Sequence, residues 1–371
     1  MGIRLFGNTL YVIIIVLHLY VIWRATTVPL LRRRLRRRTI VAVGSALCVA
    51  CILVRRFGRG WDGWAGAAAE LAAMNWMGTI LLLFLSVLAA DLLTGFGLWL
   101  RRLAPPLRGY ALCAGGLLAV VAMVQGLRPP VIVRYQVHLP GLPAELDGTT
   151  LVGMADLHLG RHLGARWLAR RVAQVQALGP DAVVLLGDIF DHGRAGDDVM
   201  RGLESLSAPM GVWAVPGNHE SFGRRRGARE MDQDTDIHVL RTRWAQLRPG
   251  LVLAGVEDLS RTRGDDGRAG AEIGKALAGR PQGATILLSH IPWGTRAADR
   301  AGVGLMLSGH THGGQLWPLG YLSGIRYPLQ GGRYQVGNMT AIVCRGTGTW
   351  GARMRLWWPA EIIHVTLRRA P

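Results

Sequence analysis

Four long apolar segments lie within the first 130 residues, and they constrain this chain more than any other feature. They cover residues 5–23, 39–54, 76–99 and 109–127, and loops that contain arginine separate them. A helix needs about 20 apolar residues to cross the hydrocarbon core of a bilayer. Tryptophan or tyrosine recurs near the segment ends, as is typical of membrane interfaces. The sequence therefore predicts a multi-pass transmembrane region of about four helices in residues 1–130. A signal peptide is the alternative for the first segment, but the four-segment pattern and the lack of a small-residue cleavage site favour a retained helix.

The positive charge of the chain is concentrated among these apolar segments. The formal net charge is +19, from 43 basic and 24 acidic residues. Residues 1–138 hold 16 arginines and three acids, a net of +13, which leaves 27 basic and 21 acidic residues, a net of +6, for the remainder. This distribution favours charge that flanks a membrane over a nucleic-acid-binding surface.

The arginines also predict an orientation in the membrane. The first loop holds seven arginines and the third holds Arg101, Arg102 and Arg108, whereas the second balances three arginines with two acids. Cytoplasmic loops are enriched in lysine and arginine. The first and third loops are therefore predicted to be cytoplasmic, and the N-terminus and everything after residue 128 extracytoplasmic. The loss of one helix would invert this orientation.

Asp91 is the one charged residue within the four apolar segments. An acid within a membrane span is a candidate functional group, here for a proton or a ligand contact. The alternative, which we favour, is an acid that faces the helix bundle near a helix end and is either hydrogen-bonded to a neighbour or simply neutral.

Short apolar runs that end in polar residues dominate the sequence from residue 131 onward. Helical spacing is found in ARWLARRVAQVQALG, between the first two runs, and in DDVMRGLESLSA. Apolar strands that alternate with helices predict an α/β domain with buried sheets over residues 131–371. The charged stretch Gly223–Asp236 lacks apolar periodicity and is predicted to be an exposed loop. The runs are TTLVGMADLH, DAVVLLGDIFD, GVWAVPGNHE, GLVLAGVED, ATILLSH, VGLMLSGHTH, TAIVCRGTG and EIIHVTL.

Metal-ligating residue types follow five of these runs. In open α/β sheets, ligands bind at the carboxyl ends of the strands, so side chains in these positions are expected to converge. Carboxylate and amide oxygens together with imidazole nitrogens suit divalent metals such as Zn, Mn or Fe. Each residue alone has an ordinary structural explanation as a cap, a turn former or a packed histidine, but the ordered set predicts a metal site. The set is Asp156 and His158 after the first run, Asp188 after the second, Asn218 and His219 after the third, His290 after the fifth, and His310 and His312 after the sixth.

This ordered series resembles the motifs of the calcineurin-like metallophosphoesterase superfamily. The motifs appear here as DLH at Asp156, GD at Gly187, GNHE at Gly217, SH at Ser289 and GHTH at Gly309. The extension GHTHGGQ, together with RGTG and PAEIIHVTL, is similar to the bacterial membrane-anchored phosphodiesterase branch. The resemblance covers residues 149–367 and leaves out the helical region. It implies a phosphoesterase domain with two β-sheets sandwiched between helices, which would follow the four-helix transmembrane region that the apolar segments predict.

The resemblance also implies roles for the residues of the series. Two metal ions, of Mn, Zn or Fe, would be bridged by Asp188 and a hydroxide. His219 would protonate the leaving alkoxide or hold the phosphoryl oxygens, and Asp191 would orient a neighbour or cap a turn. The remaining ligands would divide into two sets, Asp156, His158 and His312 for one metal, and Asn218, His290 and His310 for the other.

The predicted function is that of a membrane-anchored dinuclear-metal phosphoesterase, which hydrolyses phosphodiester or pyrophosphate bonds by attack of the metal-bridging hydroxide. A lipid or cell-envelope precursor is the favoured substrate, because the membrane region would keep the active site near the bilayer. No nucleic-acid partner is expected, since the modest charge of the domain and the lack of aromatic residues interleaved with basic ones give a nuclease or nucleotidase little support. A catalytically silent receptor or scaffold that retains the fold is a further alternative. A transporter with an accessory domain is the last, and Asp91 alone offers little for a translocation path.

Overall fold

The computed structural model describes residues 2–191, 196–222 and 235–370. It divides into two compact units. The helical unit runs to Leu127 and includes Gly351–Leu356. The other unit, which we name the phosphoesterase unit after the motifs that it contains, comprises Arg128–Trp350 and the chain from Trp357 onward. The domain boundary between residues 130 and 131 stays a prediction. Most of the predicted exposed loop, at 223–234, lies outside the described residues.

The helical unit has an apolar helix at each of the four predicted positions. Three helices, α3, α4 and α5, are long and apolar enough to cross a membrane, and α1 contributes a shorter apolar stretch, Thr9–Ala25. The last turn of α3 contains Arg55 and Arg56, and the last turn of α1 contains Arg24. The helices are α1 (Gly2–Ala25), α2 (Pro29–Arg34), α3 (Arg37–Phe57), α4 (Gly63–Leu93) and α5 (Ala104–Leu127).

The bounds of α4 differ from the predicted segment 76–99. The helix begins earlier, at Gly63, because the alanines before residue 76 favour helix, and Glu70 lies buried within this extension. It ends at Leu93, because Gly95 and Gly97 adopt positive φ angles of 57° and 86°. Such left-handed positions are where helices commonly terminate.

Asp91 faces the interior of the helical unit and is fully buried. Its carboxylate lies 2.7 Å from Nε of Arg24 on α1 and accepts a hydrogen bond of 2.7 Å from Nε of Arg108 on α5. The Tyr20 hydroxyl also donates to it. The preferred interpretation, an acid that faces the bundle and binds its neighbours, is confirmed by these contacts. One carboxylate thereby joins three helices.

The phosphoesterase unit contains two six-stranded sheets. In the first sheet the strand order is β1-β12-β2-β3-β4-β5, and in the second it is β10-β11-β9-β8-β7-β6. Strands β2 to β5 are parallel, as are β7 to β9, so their carboxyl ends point the same way within each sheet. The strands are β1 (Val131–Leu139), β2 (Thr150–Met154), β3 (Ala182–Leu185), β4 (Val212–Ala214), β5 (Ile237–Val239), β6 (Arg243–Arg248), β7 (Leu251–Gly255), β8 (Ala284–Leu288), β9 (Leu305–Ser308), β10 (Gly332–Val336), β11 (Met339–Val343) and β12 (Glu361–Arg369).

Six helices accompany the sheets in the described part of this unit. They are α6 (Ala165–Gln176), α7 (Asp197–Glu204), α8 (Asn218–Phe222), α9 (Asp266–Leu277), α10 (Thr295–Arg300) and α11 (Leu319–Arg326). Successive side chains of a strand point to opposite faces. Val184 of β3 accordingly packs with Ile286 of β8 between the sheets, whereas Val183 packs with Leu168 of α6 on the outside. On the second sheet, Leu287 packs outward against α9. The predicted α/β fold, with two sheets sandwiched between helices, is confirmed.

Candidate dinuclear metal centre

Each predicted site residue lies just after the carboxyl end of a strand. Asp156 and His158 follow β2, Asp188 follows β3, and Asn218 and His219 open α8 after β4. In the second sheet, His290 follows β8, and His310 and His312 follow β9. The facing sheets bring these eight residues, from two separate parallel sets of strands, to one place.

One group of side chains consists of Asp156, His158 and His312, all buried. Nε2 of His158 lies 3.2 Å from Nε2 of His312, and that nitrogen lies 3.3 Å from Oδ1 of Asp156. One potential ligand atom of each residue falls within 4.8 Å of the others. This is the set of three residues predicted for one metal ion.

A second group surrounds His290. Its Nε2 lies 3.4 Å from Oδ2 of Asp188, 3.2 Å from Nδ1 of His310 and 3.2 Å from Oδ1 of Asn218. Nδ1 of His290 is 2.7 Å from the carbonyl oxygen of Leu186. Because a carbonyl oxygen only accepts, Nδ1 carries a proton and Nε2 is directed at the group, as is usual for a metal-binding histidine.

Asp188 stands between the two groups. Its Oδ2 lies 3.4 Å from Nε2 of His290 in one group and 3.9 Å from Nε2 of His158 in the other. The residues fit two divalent metal ions, because carboxylate, amide and imidazole donors converge at two adjacent points and share this one carboxylate. The individual role of each residue as a ligand stays a prediction.

The backbone is strained at the same residues. A non-glycine residue with positive φ is uncommon, and such strain clusters at functional sites. Ten non-glycine residues of the described chain have positive φ, and half of them belong to this centre. They are Asp156 (54°), His158 (46°), Asp188 (50°), His310 (73°) and His312 (50°).

Glycines of the motifs allow the backbone to approach these side chains. A Cβ atom at Gly217 would lie 2.2 Å from Oδ1 of Asp188, and one at Gly309 would lie 2.7 Å from Oδ2 of Asp156. Real Cβ atoms essentially never come within 3.0 Å of such neighbours. The glycines of GNHE and GHTH are therefore required by the close packing around the carboxylates.

His219 lies at the edge of both groups. Its Nδ1 is 2.9 Å from the carbonyl oxygen of Asp191 and 3.4 Å from Oδ1 of the same residue, and its Nε2 lies 3.9 Å from Oδ2 of Asp188. Its ring packs edge-on against His158, with 4.7 Å between the centroids. Asp191 thus contacts Nδ1 of His219, which is the contact expected of a residue that orients the ring. Nε2 of His219 remains directed at the centre.

The titratable groups of the centre have pKa values that are shifted in both directions, some upward and some downward. Burial opposes protonation of His290, but Asp188 and Asp156 raise its pKa to about 10. Burial likewise opposes protonation of His219, but the contacts with Asp191 and Asp188 raise its pKa to about 9. Burial, with the neighbouring charge of His290, lowers the pKa of His310 to about 3. Perturbed pKa values of both signs in one cluster are typical of functional sites.

The sequence reasoning did not assign a role to Glu220, the acid of GNHE. Its fully enclosed carboxylate accepts hydrogen bonds from the backbone N–H groups of Gly217 at 2.7 Å, Asp188 at 3.0 Å and Phe190 at 3.0 Å. It therefore ties the loop after β4 to the loop after β3. Burial, and then the charge of Asp188, raises the pKa of Glu220. The motif itself was the signal, since an acid at this fixed place was visible in the sequence.

The RGTG and PAEIIHVTL motifs form a second contact that the sequence reasoning missed. Arg345 donates from its backbone N–H and from Nε to the buried carboxylate of Glu361, at 2.7 Å and 2.8 Å. Thr347 and Gly348 then donate backbone hydrogen bonds to the carbonyls of Ala155 and Asp156, at 2.7 Å and 3.1 Å. This loop supports the backbone of the first ligand pair.

Two sheets between helices, with a carboxylate shared by two histidine-rich groups, define an α/β protein with a candidate dinuclear metal centre. The sequence profile of the calcineurin-like phosphoesterase family matches residues 149–314. A metallophosphoesterase of Aquifex aeolicus is 30% identical over 254 residues, which are 64% of this chain and 91% of that protein. The chain belongs to the calcineurin-like metallophosphoesterases, a family of metal-dependent phosphoric ester hydrolases.

Relatives that carry membrane segments are also similar to this chain. A transmembrane protein with metallophosphoesterase domain from Danio rerio is 34% identical over 278 residues, which are 70% of this chain. The chain spans 62% of the length of that relative. A dimetal phosphatase from Danio rerio aligns with a TM-score of 0.34 at 15% identity, over 54% of this chain and 88% of that one.

Proposed function

We propose that this chain is a membrane-anchored hydrolase of phosphate esters that works with two divalent cations. The observation that carries the proposal is the position of Asp188, whose carboxylate lies between the group of His158 and the group of His290. Asp156, His158, Asp188 and His312 would hold one cation, and Asp188, Asn218, His290 and His310 the other. Bound cations of this kind polarise a phosphoryl oxygen and make a water molecule acidic enough to attack at neutral pH.

The residues of the chain would then handle the leaving group. Nε2 of His219 faces the centre and lies 3.9 Å from Oδ2 of Asp188. A protonated imidazole beside the phosphoester is suited to donate a proton to the departing oxygen. Asp191 would position this donor, because its backbone carbonyl accepts from Nδ1 of His219 at 2.9 Å.

The substrate class that we propose is a phosphodiester or pyrophosphate of a lipid or cell-envelope precursor. The long apolar helices α3, α4 and α5, together with relatives described as transmembrane proteins, support a location at the membrane. A multi-pass topology with the phosphoesterase unit outside the cytoplasm is part of the same proposal. Lipid phosphates at the bilayer surface would then be within reach of the site.

The chemistry is tested with the full chain in detergent. We expect hydrolysis of a soluble aryl phosphodiester to be lost when metal is stripped, and to return with Mn²⁺ or Zn²⁺. Asp188→Asn should abolish this recovery, whereas Asp266→Asn, at an exposed position on α9, should keep it. A folded chain that binds no metal would overturn the two-metal proposal.

The substrate class is tested separately, in vesicles. Wild-type protein in proteoliposomes should release headgroup phosphate from a lipid phosphodiester or pyrophosphate, and Asp188→Asn protein should not. Hydrolysis of the aryl ester without any turnover of lipid would leave the metal chemistry intact and exclude the lipid substrate. A chain that binds two metal ions but hydrolyses neither substrate would favour the silent receptor.

A further inference from the structure

The phosphoesterase unit carries a concentrated apolar surface. Seven large apolar side chains of its described residues are exposed, and all except Val131 lie between positions 317 and 357. Tyr321, Leu322 and Ile325 on α11 are 75%, 64% and 83% exposed. Large apolar patches on a protein surface mark interaction sites. The α11 surface, as we name it, consists of Trp317, Tyr321, Leu322, Ile325, Trp350 and Trp357.

Side-chain contacts hold this surface together. The rings of Trp317 and Trp357 pack edge-on, with centroids 5.0 Å apart. Gln315 donates from Nε2 to the carbonyl of Trp350 at 3.1 Å and accepts from its backbone N–H at 3.0 Å. Helix α11 begins two residues after Trp317. Three parts of the chain that are distant in sequence therefore form one surface.

The α11 surface adjoins the metal centre at both ends of its helix. At the start, a Cβ atom on Gly314, in the turn after His312, would lie 2.2 Å from the backbone nitrogen of Gly320, so turn and helix are in close contact. At the end, the ring of Tyr327 packs edge-on against His310, with 4.7 Å between the centroids. Arg326 is an exposed residue, and its guanidinium lies over the rings of Trp293 and Tyr327, at 5.2 Å and 5.9 Å from their centroids.

We propose that the α11 surface enters the interfacial layer of a phospholipid bilayer, and that Arg326 binds an anionic headgroup beside the metal centre. This inference rests on the proposed function and names how its lipid substrate would be reached. Tryptophan and tyrosine favour the headgroup level of membranes, and amphipathic helices lie in that layer with their apolar face buried. A basic residue at the end of such a helix complements anionic lipid.

The composition of the chain favours a bilayer over a protein partner as the occupant. The same polypeptide contains helices long and apolar enough to span a membrane, and these would tether the phosphoesterase unit to a bilayer. Three of the six side chains of the α11 surface are tryptophans and one is a tyrosine. These amphipathic rings match an interface that is apolar on one side and hydrated on the other.

Insertion is tested by the quenching of a label on the full chain in lipid nanodiscs. Ile325→Cys, in a background with Cys48 and Cys113 changed to alanine, carries an environment-sensitive fluorophore. Lys275→Cys on α9, whose side chain is 65% exposed, carries the same label as a control. We expect doxyl-labelled phospholipids to quench the label at position 325 and not the one at position 275. A label at 325 that lipid does not quench, whether it lies in water or against a second protein copy, overturns the proposal.

Turnover gives a second test that separates this inference from the proposed function. The triple variant Tyr321→Ser, Leu322→Ser, Ile325→Ser is compared with Val131→Ser, in detergent with an aryl phosphodiester and in vesicles with a lipid phosphodiester. We expect the ratio of lipid to soluble turnover to fall about tenfold or more in the triple variant, because burying apolar side chains contributes to lipid binding. The control should keep the wild-type ratio. An unchanged ratio in the triple variant would contradict the proposal that the α11 surface enters the bilayer. If the wild type hydrolyses neither substrate, the proposed function fails, whereas the quenching result still decides whether the surface meets lipid.

Discussion

The side chains of the metal centre hold charges of both signs within a small volume. Burial opposes ionisation of Asp156, but the adjacent His312 lowers the pKa of that carboxyl to about 2. Burial lowers the pKa of His158 to about 4, whereas the pKa of His290 is about 10. At neutral pH the metal-free centre therefore contains ionised carboxylates, protonated histidines and neutral histidines together. Metal ions bind neutral imidazole, so metal binding must displace protons from this cluster.

The stability of the metal-free chain should pass through a maximum near pH 6.5. His158 and His310, whose pKa values fall to about 4 and about 3, bind fewer protons folded than unfolded, so stability rises with pH up to 6.5. His219 and His290, whose pKa values rise to about 9 and about 10, contribute stability that is complete below pH 6.5 and is lost as pH rises through those values. Thermal unfolding of the stripped chain across this range measures the effect. The metal-loaded chain should lose less stability at high pH, because metal binding leaves His290 without its extra proton. A stripped chain whose stability climbs steadily above pH 8 would contradict the pKa pattern.

Glu220→Gln should loosen the loops that carry Asp188 and Asn218. The carboxylate of Glu220 accepts three backbone N–H groups, and a glutamine would direct its own NH₂ at one of them. An unsatisfied buried donor costs about 1–3 kcal/mol, so we expect that loss in the free energy of unfolding, together with weaker metal binding. Unfolding and a metal-binding isotherm check both effects. Glu272→Gln, in an exposed ion pair with Lys275, is the control and should change neither. A Glu220→Gln chain with wild-type metal affinity would show that Glu220 does not position the centre.

At the level of secondary-structure elements, the residues of the metal centre lie just after the ends of strands, most of them on loops. Strands β3 and β8 are buried along their whole length, and Asp188 and His290 come within a few residues of their ends. Rigid strands thus fix the start of each loop, and glycines then allow the loops to approach one another. At Gly217, where an added Cβ atom would lie 2.2 Å from Oδ1 of Asp188, the approach leaves no room for a methyl group.

Gly217→Ala should displace Asp188 and weaken the binding of both metals. The added Cβ would lie 2.2 Å from Oδ1 and 2.3 Å from the backbone nitrogen of Asp188, which are contacts that only movement can relieve. Gly274→Ala on α9 is the matched control, because its Cβ would meet nothing within 4 Å. Alanine within a helix is favoured over glycine by roughly 0.5–1 kcal/mol, so the control should be slightly stabilised. Metal stoichiometry and melting temperature measure the two variants, and equal metal binding by both would refute the steric argument.

The same elements show how far the sequence could predict this molecule. The strands that carry the centre were predictable, because each is a continuous apolar run followed by a ligand type. Strand β1 was missed because Arg134, Gln136 and His138 alternate along it and leave half of it exposed. The pairing of Arg345 with Glu361 could not be predicted, since it depends on how β11 and β12 are placed in different sheets. The positive φ angles of the ligands were likewise invisible, because only the folded loops impose them.

At the scale of the whole molecule, Asp91 links the helices of the helical unit through buried charge. Asp91→Asn would leave Arg24 and Arg108, both buried, without their carboxylate. Removing one partner of a buried ion pair costs about 3–5 kcal/mol, so the variant should unfold at a lower temperature in detergent. Asp62→Asn, at an exposed residue just before α4, should melt like the wild type. A variant at Asp91 with unchanged melting would show that the ion pairs contribute little to the bundle.

The positions of the arginines also predict how the chain is oriented in the membrane. The six arginines of RRRLRRR, between the first two apolar segments, and Arg101 and Arg102, between the last two, should hold these stretches in the cytoplasm, which leaves the C-terminus outside. A periplasm-dependent alkaline phosphatase fused after Pro371 should therefore be active, and the same fusion at Arg102 inactive. Replacing the arginines of the RRRLRRR run with serines removes most of the charge that keeps the first loop in the cytoplasm. A fraction of these molecules should then insert in the opposite orientation, which lowers the alkaline phosphatase activity of the Pro371 fusion. An inactive Pro371 fusion with an active Arg102 fusion in the unaltered chain would place the phosphoesterase unit in the cytoplasm, and its substrate would then be sought on the inner leaflet.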